Sequence, residues 1–353
     1  MRISIFSKFD MCGGSEFRCV ELANGIANYT KHSAYLLSEK KLPFKLKSHI
    51  DEKVTVIEES FLSPSCFYET DYMVVINTDT REFSTIDYWL GKSPRHNFSI
   101  DIDRLCGKTI CFLYNFIVSP SRHLFDLSEK GINLKIITTN MKFFNEISKQ
   151  DRYERVRILP RYRLESPIDP RKLDISVRRP KDEICFGMHS KRLGNKWNDE
   201  LPKLIGELNK RYDGRIKFRF MGTKHPLRDK LKKIPNVVVM GEDEEPVKDF
   251  LNKLDVFLFF PDWKREEPWA RVIAEAMVSG CPVIALNKGG TSDQILKDNN
   301  GILCKNYKDY FKAVIYLMEH PDIIPKMSEN SIRISKSFYS EAVVYRLMRI
   351  LHG

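Results

Sequence analysis

Two carboxylates eight residues apart, Glu267 and Glu275, frame the stretch Glu267-Pro-Trp-Ala-Arg-Val-Ile-Ala-Glu-Ala-Met-Val278. In a helix that spacing is a rise of about 12 Å and an offset of about 80°, so both side chains fall on one stripe. Carboxylates are natural acceptors for paired hydroxyls, and a ligand with hydroxyls at its two ends and a diphosphate between them would suit such a pair. Taken alone, the pair also fits a solvated helix face carrying two unrelated glutamates. The surrounding residues write out the local structure. Pro268 suits a first helical position, Ala270 to Val278 are mostly good helix formers, Gly280 supplies a left-handed stop, and Pro282 prevents continuation. Val283 to Leu286 then reads as a short buried strand, and Gly289-Gly290 as a tight turn before a helix opening at Thr291 or Ser292.

Glu, seven residues, Glu, then Ala-Met-x-x-Gly-x-Pro-Val-Ile-Ala and Gly-Gly resembles the donor-site phrase of the retaining family-four, or group 1, glycosyltransferases of the GT-B fold. The resemblance implies that Glu267 sits by the donor sugar, that Glu275 holds the ribose hydroxyls of a nucleotide, and that Gly289-Gly290 approaches the sugar and phosphates. Two further phrases are similar to the family. In Gly187-Met-His-Ser-Lys-Arg-Leu-Gly-Asn-Lys-Trp197, Lys191 or Arg192, together with Lys196, stands where the family places cations against the donor diphosphate. Such charge is what the chemistry needs, because negative charge grows on the leaving diphosphate as the glycosidic bond breaks. Val237-Val-Val-Met-Gly241 corresponds to the strand whose end, Met240-Gly241, meets the nucleotide base through backbone groups. Near the N-terminus, Met11-Cys-Gly-Gly-Ser-Glu16 resembles the family's opening phrase. Gly13 and Gly14 there turn the chain into a helix whose amides could receive a phosphate or an acceptor oxygen. Where the family often carries a histidine near the reacting sugar, Phe112-Leu-Tyr-Asn115 offers Asn115, with His123 displaced and Tyr114 a candidate for lining the acceptor site.

Other features carry less chemistry. Asp101-Ile-Asp103 has the spacing of the metal-binding carboxylates of the other main glycosyltransferase fold. It reads as a loop beside Arg104, and the GT-B resemblance implies no metal and no cofactor beyond a nucleoside-diphosphate sugar as co-substrate, a UDP-sugar foremost. His189 reads as a structural histidine beside the diphosphate loop. Eight cysteines are scattered without a Cys-x-x-Cys pair, which fits neither zinc nor a disulfide framework and suits a reducing cytoplasm, or a host cytoplasm if the gene is a phage's. No apolar run approaches the roughly 20 residues that span a bilayer.

The elements that must position these residues follow from alternation of short apolar runs with helical stretches. Such runs occur at Ile3 to Phe6, Ala34 to Leu37, Val54 to Ile57, Met73 to Ile76, Ile110 to Leu113, Leu134 to Ile137 and Val156 to Leu159. A second series begins at Ile184 and continues at Ile216, Val237, Val256, Val283 and Ile302. Both series predict parallel sheets wrapped by helices. The expected organisation is α/β and GT-B: two Rossmann-like domains facing each other across a cleft. Residues 1–165 form the acceptor domain, 166–183 a linker, 184–337 the nucleotide-sugar domain, and 338–353 a helix crossing back.

The formal net charge is +11, and between Arg152 and Lys181 ten Lys or Arg stand against four acids. The excess suits nucleotide, nucleic acid or an anionic membrane surface, and the basic run could equally be a solvated linker. The first 38 residues are similar to the start of phage DNA alpha-glucosyltransferases. With the charge, that points to a hydroxymethylated base in DNA as acceptor. The alternatives are a surface glycan or glycolipid acceptor, or a nucleotide-sugar or nucleic-acid binding protein without turnover, which the missing histidine motivates.

Overall fold

The computed structural model describes residues 1–353 apart from 8, 10–12, 61–63, 77–100, 115–126, 150–158, 181, 193 and 213. The chain divides into two units, one comprising Met1–Pro167 with Ser340–Gly353 and the other Ile168–Tyr339.

The first unit is built on seven strands: β1 (Arg2–Ser7), β2 (Ser33–Ser38), β3 (Thr55–Ile57), β4 (Tyr72–Ile76), β5 (Thr109–Tyr114), β6 (Asn133–Thr138) and β7 (Arg161–Arg163). They pair in parallel in the order β3-β2-β1-β4-β5-β6-β7. Alternate residues feed two cores. Ile3, Ile5, Val74, Ile76, Cys111 and Leu113 pack on one face, while Phe6, Met73, Val75, Ile110 and Phe112 pack on the other. Both faces being covered is why the centres of β4 and β5 read as unbroken apolar runs.

The helix Gly14–Tyr29 returns the chain from β1 to β2, and the closing helix Ser340–His352 packs on it. Val344 lies against Gly25, where a Cβ would collide with its methyl group. The buried Lys135 on β6 donates from Nζ to the carbonyls of Ile350 at 2.6 Å and Leu351 at 3.3 Å. A cation at the carbonyl end of a helix satisfies acceptors that have no partner within the helix itself.

The second unit has six parallel strands, β8 (Ile184–His189), β9 (Ile216–Met221), β10 (Val237–Met240), β11 (Val256–Phe259), β12 (Val283–Leu286) and β13 (Gly301–Cys304), in the order β10-β9-β8-β11-β12-β13. The expectation of two Rossmann-like parallel sheets is met.

Two local expectations change, and a third falls mostly outside the described residues. The helix expected from Pro268 begins at Arg271, because tertiary contacts described below hold Glu267 to Ala270 in a non-helical loop. The strand expected at Val156 to Leu159 falls mostly outside the described residues, and the described strand that pairs with β6 opposite β5 is the polar segment Arg161–Arg163. Residues 168–180 are not a free tether. Ile168 N–H donates to Phe338 O at 2.8 Å, and Arg178 is buried, donating to Ser279 O at 2.6 Å through its side chain and to Ser328 Oγ at 2.8 Å through its amide. Most described cations of the basic run have partners within their own unit: Arg163 with Glu165, Arg171 with Asp169, and Arg179 with Glu329.

The helix Arg271–Val278 ends as written. Cys281 N–H donates to Ala276 O at 2.8 Å and Gly280 N–H to Met277 O at 3.0 Å, with Gly280 at φ +89°. This is the Schellman pattern, which satisfies the last carbonyls through a left-handed residue. A Cβ on Gly280 would also overlap the Ser176 carbonyl oxygen. Gly280→Ala is therefore expected to cost about 2–4 kcal/mol, read as a lowered denaturation midpoint with unchanged m-value.

Candidate functional site

In the second sheet the chain leaves β8 outward through β9 to β10, then returns to the other side of β8 as β11. The carboxyl ends of β8 and β11 therefore flank a topological switch point, where open α/β sheets leave a crevice for ligands. Nearly every sequence-derived donor residue of this unit lies on a turn at those ends. Lys191, Arg192 and Lys196 follow β8, Met240 and Gly241 end β10, Glu267 follows β11, and Gly289 and Gly290 follow β12.

Backbone bonds lock two of these turns together. Gly290 N–H donates to Glu267 O at 2.8 Å, and Glu267 and Gly289 form a parallel bridge. The fully buried Gln294 brackets Ala270, accepting its N–H at 3.1 Å and donating to its carbonyl at 3.0 Å. These bonds supply what the first helical turn would have used, so the helix starts four residues after Glu267. Gly289 has φ +67°, and a Cβ there would overlap the Glu267 carbonyl oxygen. A side chain could not occupy the position without opening the pair of loops.

With Glu267 outside the helix, the single-stripe geometry expected for the two glutamates does not hold. Each carboxylate has its own partners beside β8. Glu267 Oε2 accepts from Lys196 Nζ at 2.9 Å and from Arg265 Nε at 2.6 Å, and Arg265 Nη1 donates to Asn195 Oδ1 at 2.6 Å. The two cations and one carboxylate leave one surplus positive charge, and all three side chains are no more than 20% exposed. Burial lowers the Lys196 pKa from its ordinary value, Glu267 opposes that shift, and Arg265 and Lys191 add to it. The cluster is thus poised for an anion, which would offset both desolvation and repulsion. Trp197, fully buried, donates from Nε1 to Lys191 O at 3.1 Å and fixes the turn that carries Lys191 and Lys196.

Glu275 Oε1 accepts from Arg271 Nε at 2.8 Å, one helical turn earlier, and its Oε2 lies 3.5 Å from Nε2 of His189, the last residue of β8. Arg192 is placed apart from Lys196. Its amide donates to Glu242 Oε2 at 3.2 Å, and its Nη2 lies 3.2 Å from where a Cβ on Gly241 would stand. It therefore accompanies Met240 and Gly241 at the end of β10. There the Gly241 amide donates to Glu244, and Met240 O accepts from Gly222 N–H at 3.1 Å.

In the first unit, Gly13 N–H donates to Glu16 Oε2 at 2.8 Å, so the glycine amide offered to an oxyanion is already engaged by the helix's own carboxylate. Gly14 has open space where a Cβ would stand. Asn115 and His123 lie outside the described residues, while Tyr114 is buried at the end of β5. Asp103 pairs with Lys130 at 2.8 Å, and no group of three or more potential metal ligands occurs among the described residues.

Sequence reading missed Arg265, Arg271 and Gln294. Arg271 and Glu275 stand at i and i+4, a spacing from which their pairing could have been read. Arg265 stands two residues before its partner Glu267, but its sharing of that carboxylate with Lys196 is tertiary, and Gln294 acts through tertiary contacts that leave no local signal.

Residues 172–334 match the family model for glycosyl transferases group 1, a span lying within the second unit. The chain is 28% identical over 116 residues to the trehalose synthase of Pyrococcus horikoshii, covering 33% of this chain and 27% of that protein. It therefore spans about a quarter of the length of the curated relatives it matches. Among solved structures, HepE of Anabaena in complex with UDP superposes with TM-score 0.73 at 14% identity, covering 100% of both chains. The lipopolysaccharide outer core galactosyltransferase WaaB in its apo form does so with TM-score 0.64 at 15% identity, covering 100% of this chain and 99% of that one. The shared fold is GT-B.

The Lys196 pKa yields a test independent of substrate. Deprotonation removes a cation from the cluster, so affinity for inorganic pyrophosphate is expected to fall with rising pH sooner than an ordinary lysine would dictate. Lys196→Arg, which stays charged, should move that loss to higher pH when binding is followed by calorimetry.

Proposed function

We propose that the chain transfers a sugar from a nucleoside-diphosphate sugar to a hydroxyl acceptor with retention of anomeric configuration. The observation that carries the reading is the buried Lys196–Glu267–Arg265 cluster at the carboxyl ends of β8 and β11. A UDP-sugar is the donor that fits best, given the fold shared with a protein solved with UDP and the glycosyl transferases group 1 match over this unit. In this reading Lys196 and Arg265, with Lys191 nearby, neutralise charge growing on the departing diphosphate. Glu267 orients the donor sugar, Glu275 accepts from the ribose hydroxyls, and Arg192 lies on the side of the base with Met240 and Gly241. Gly289 and Gly290 allow close approach of backbone to the phosphates. Catalysis is then positioning and electrostatic stabilisation by groups already oriented before the donor arrives.

The acceptor we propose is a hydroxyl of a glycan or glycolipid. Most described cations of the segment that favoured DNA are engaged by carboxylates or carbonyls of their own unit, which leaves the DNA reading resting on net charge and on the likeness of the first 38 residues. A solved protein of the same fold bears the name of a lipopolysaccharide galactosyltransferase.

Incubation of a UDP-sugar panel with glycolipid, oligosaccharide, hydroxymethylcytosine DNA and unmodified DNA, read by mass shift of the acceptor, tests both parts. Transfer to a glycan or glycolipid is expected, and transfer to DNA alone would overturn the acceptor assignment. Lys196→Ala and Glu267→Ala should each lower kcat/KM by about 100-fold or more. Undiminished transfer in both would sink the site assignment. Glu275→Ala is expected to act chiefly on KM, because ribose contacts are shared by ground and transition states.

A further inference from the structure

We propose that His189 is a positioning residue for Glu275, holding its carboxylate in the orientation that accepts the ribose hydroxyls. The inference rests on the ribose reading of Glu275 given above. His189 ends β8, at the crevice edge, yet is only 6% exposed. Phe250 and Phe257 meet its ring edge-on, at 5.8 Å and 5.7 Å between centroids, and fix the imidazole plane. Its Nε2 is buried and has no hydrogen-bond partner. A buried imidazole nitrogen left in this state is costly, which makes its direction informative. Glu275 Oε2 lies 3.5 Å from it.

Because Nε2 is inaccessible to solvent, a ligand atom does not reach it either, so His189 acts through Glu275 and not on the substrate. Burial depresses the His189 pKa, with Arg271 adding to the effect and Glu275 and Asp243 opposing it. With its proton on Nε2, the neutral ring is a donor toward Oε2. Arg271 already holds Oε1 from the same helix. The carboxylate is thus gripped from the helix on one oxygen and faced from the strand on the other. A small rotation closes the 3.5 Å gap to a hydrogen bond, leaving the remaining lone pairs turned outward for two adjacent hydroxyls. The strand contributes what helix packing alone does not: a fixed rotation of the carboxylate about its last bond.

The test compares binding of UDP and 2′,3′-dideoxy-UDP, which lacks the ribose hydroxyls, to the full chain and to His189→Leu, His189→Gln and Glu275→Ala. Calorimetry gives affinities, and steady-state kinetics with a UDP-sugar separates KM from kcat. His189→Leu is expected to weaken UDP binding and raise KM about tenfold, with kcat within about threefold, since one hydrogen bond to a charged group is lost. The dideoxy nucleotide should bind parent and variant alike. His189→Gln, which keeps an N–H donor, should recover most of the loss. If the Leu variant fails to fold, His189→Asn, too short to reach Oε2, takes its place with the same expectation. Equal weakening of both nucleotides, or unchanged UDP affinity, overturns the proposal. Glu275→Ala separates the two levels. If it does not erase the preference for UDP over the dideoxy nucleotide, the ribose reading itself has failed. If it does while the His189 variants keep that preference, only the role of His189 falls.

Discussion

A single carboxylate oxygen shared by a lysine and an arginine governs the arrangement of the second unit's crevice. Glu267 Oε2 draws Lys196 from the turn after β8 and Arg265 from the loop after β11 to one point. Two buried cations repel each other and are poorly solvated, so neither would remain there without the carboxylate. With it, the cluster retains a surplus of one positive charge in a largely desolvated place. Such a surplus is of most use to a ligand that is itself multiply negative, and of most use chemically when that negative charge increases during reaction.

The sheet explains why the cluster forms where it does. Parallel strands end together, and at the switch between β8 and β11 the connecting loops part in opposite directions. The backbone then adds rigidity. Gly290 bonds to Glu267, and Gln294 brackets Ala270, so the loop with the carboxylate and the glycine turn move as one piece. Preorganisation of this kind costs local regularity: three residues that could have begun a helix stay outside it, and Gly289 must adopt a left-handed conformation. The cost is met by a side-chain amide that satisfies both backbone groups of Ala270, as the burial of that segment requires.

The first unit shows a different use of buried charge. Lys135 is spent on the carbonyl end of the closing helix, 215 residues away along the chain. The helix Ser340–His352 is thereby fixed to the sheet of residues that were read first. The two ends of the second unit lie together, Ile168 bonding to Phe338 and bridging to Tyr339.

Sequence by itself determined the strands and the punctuation. Parallel strands buried on both faces read as continuous apolar runs, and β12 begins and ends where its run from Val283 to Leu286 does. Gly280 had to end its helix, because only a left-handed residue completes the Schellman bonds. The donor phrase likewise named Glu267, Glu275 and Lys196, since residue type and spacing are local properties. Tertiary structure alone decided which groups share a partner. The loss of Pro268 from the helix, the union of Arg265 with Lys196 on one oxygen, the separation of Arg192 toward Gly241, and the edge strand at polar Arg161–Arg163 all depend on contacts between residues distant in sequence. Their energies come from burial and pairing in three dimensions, to which neither periodicity nor propensity along the chain is sensitive.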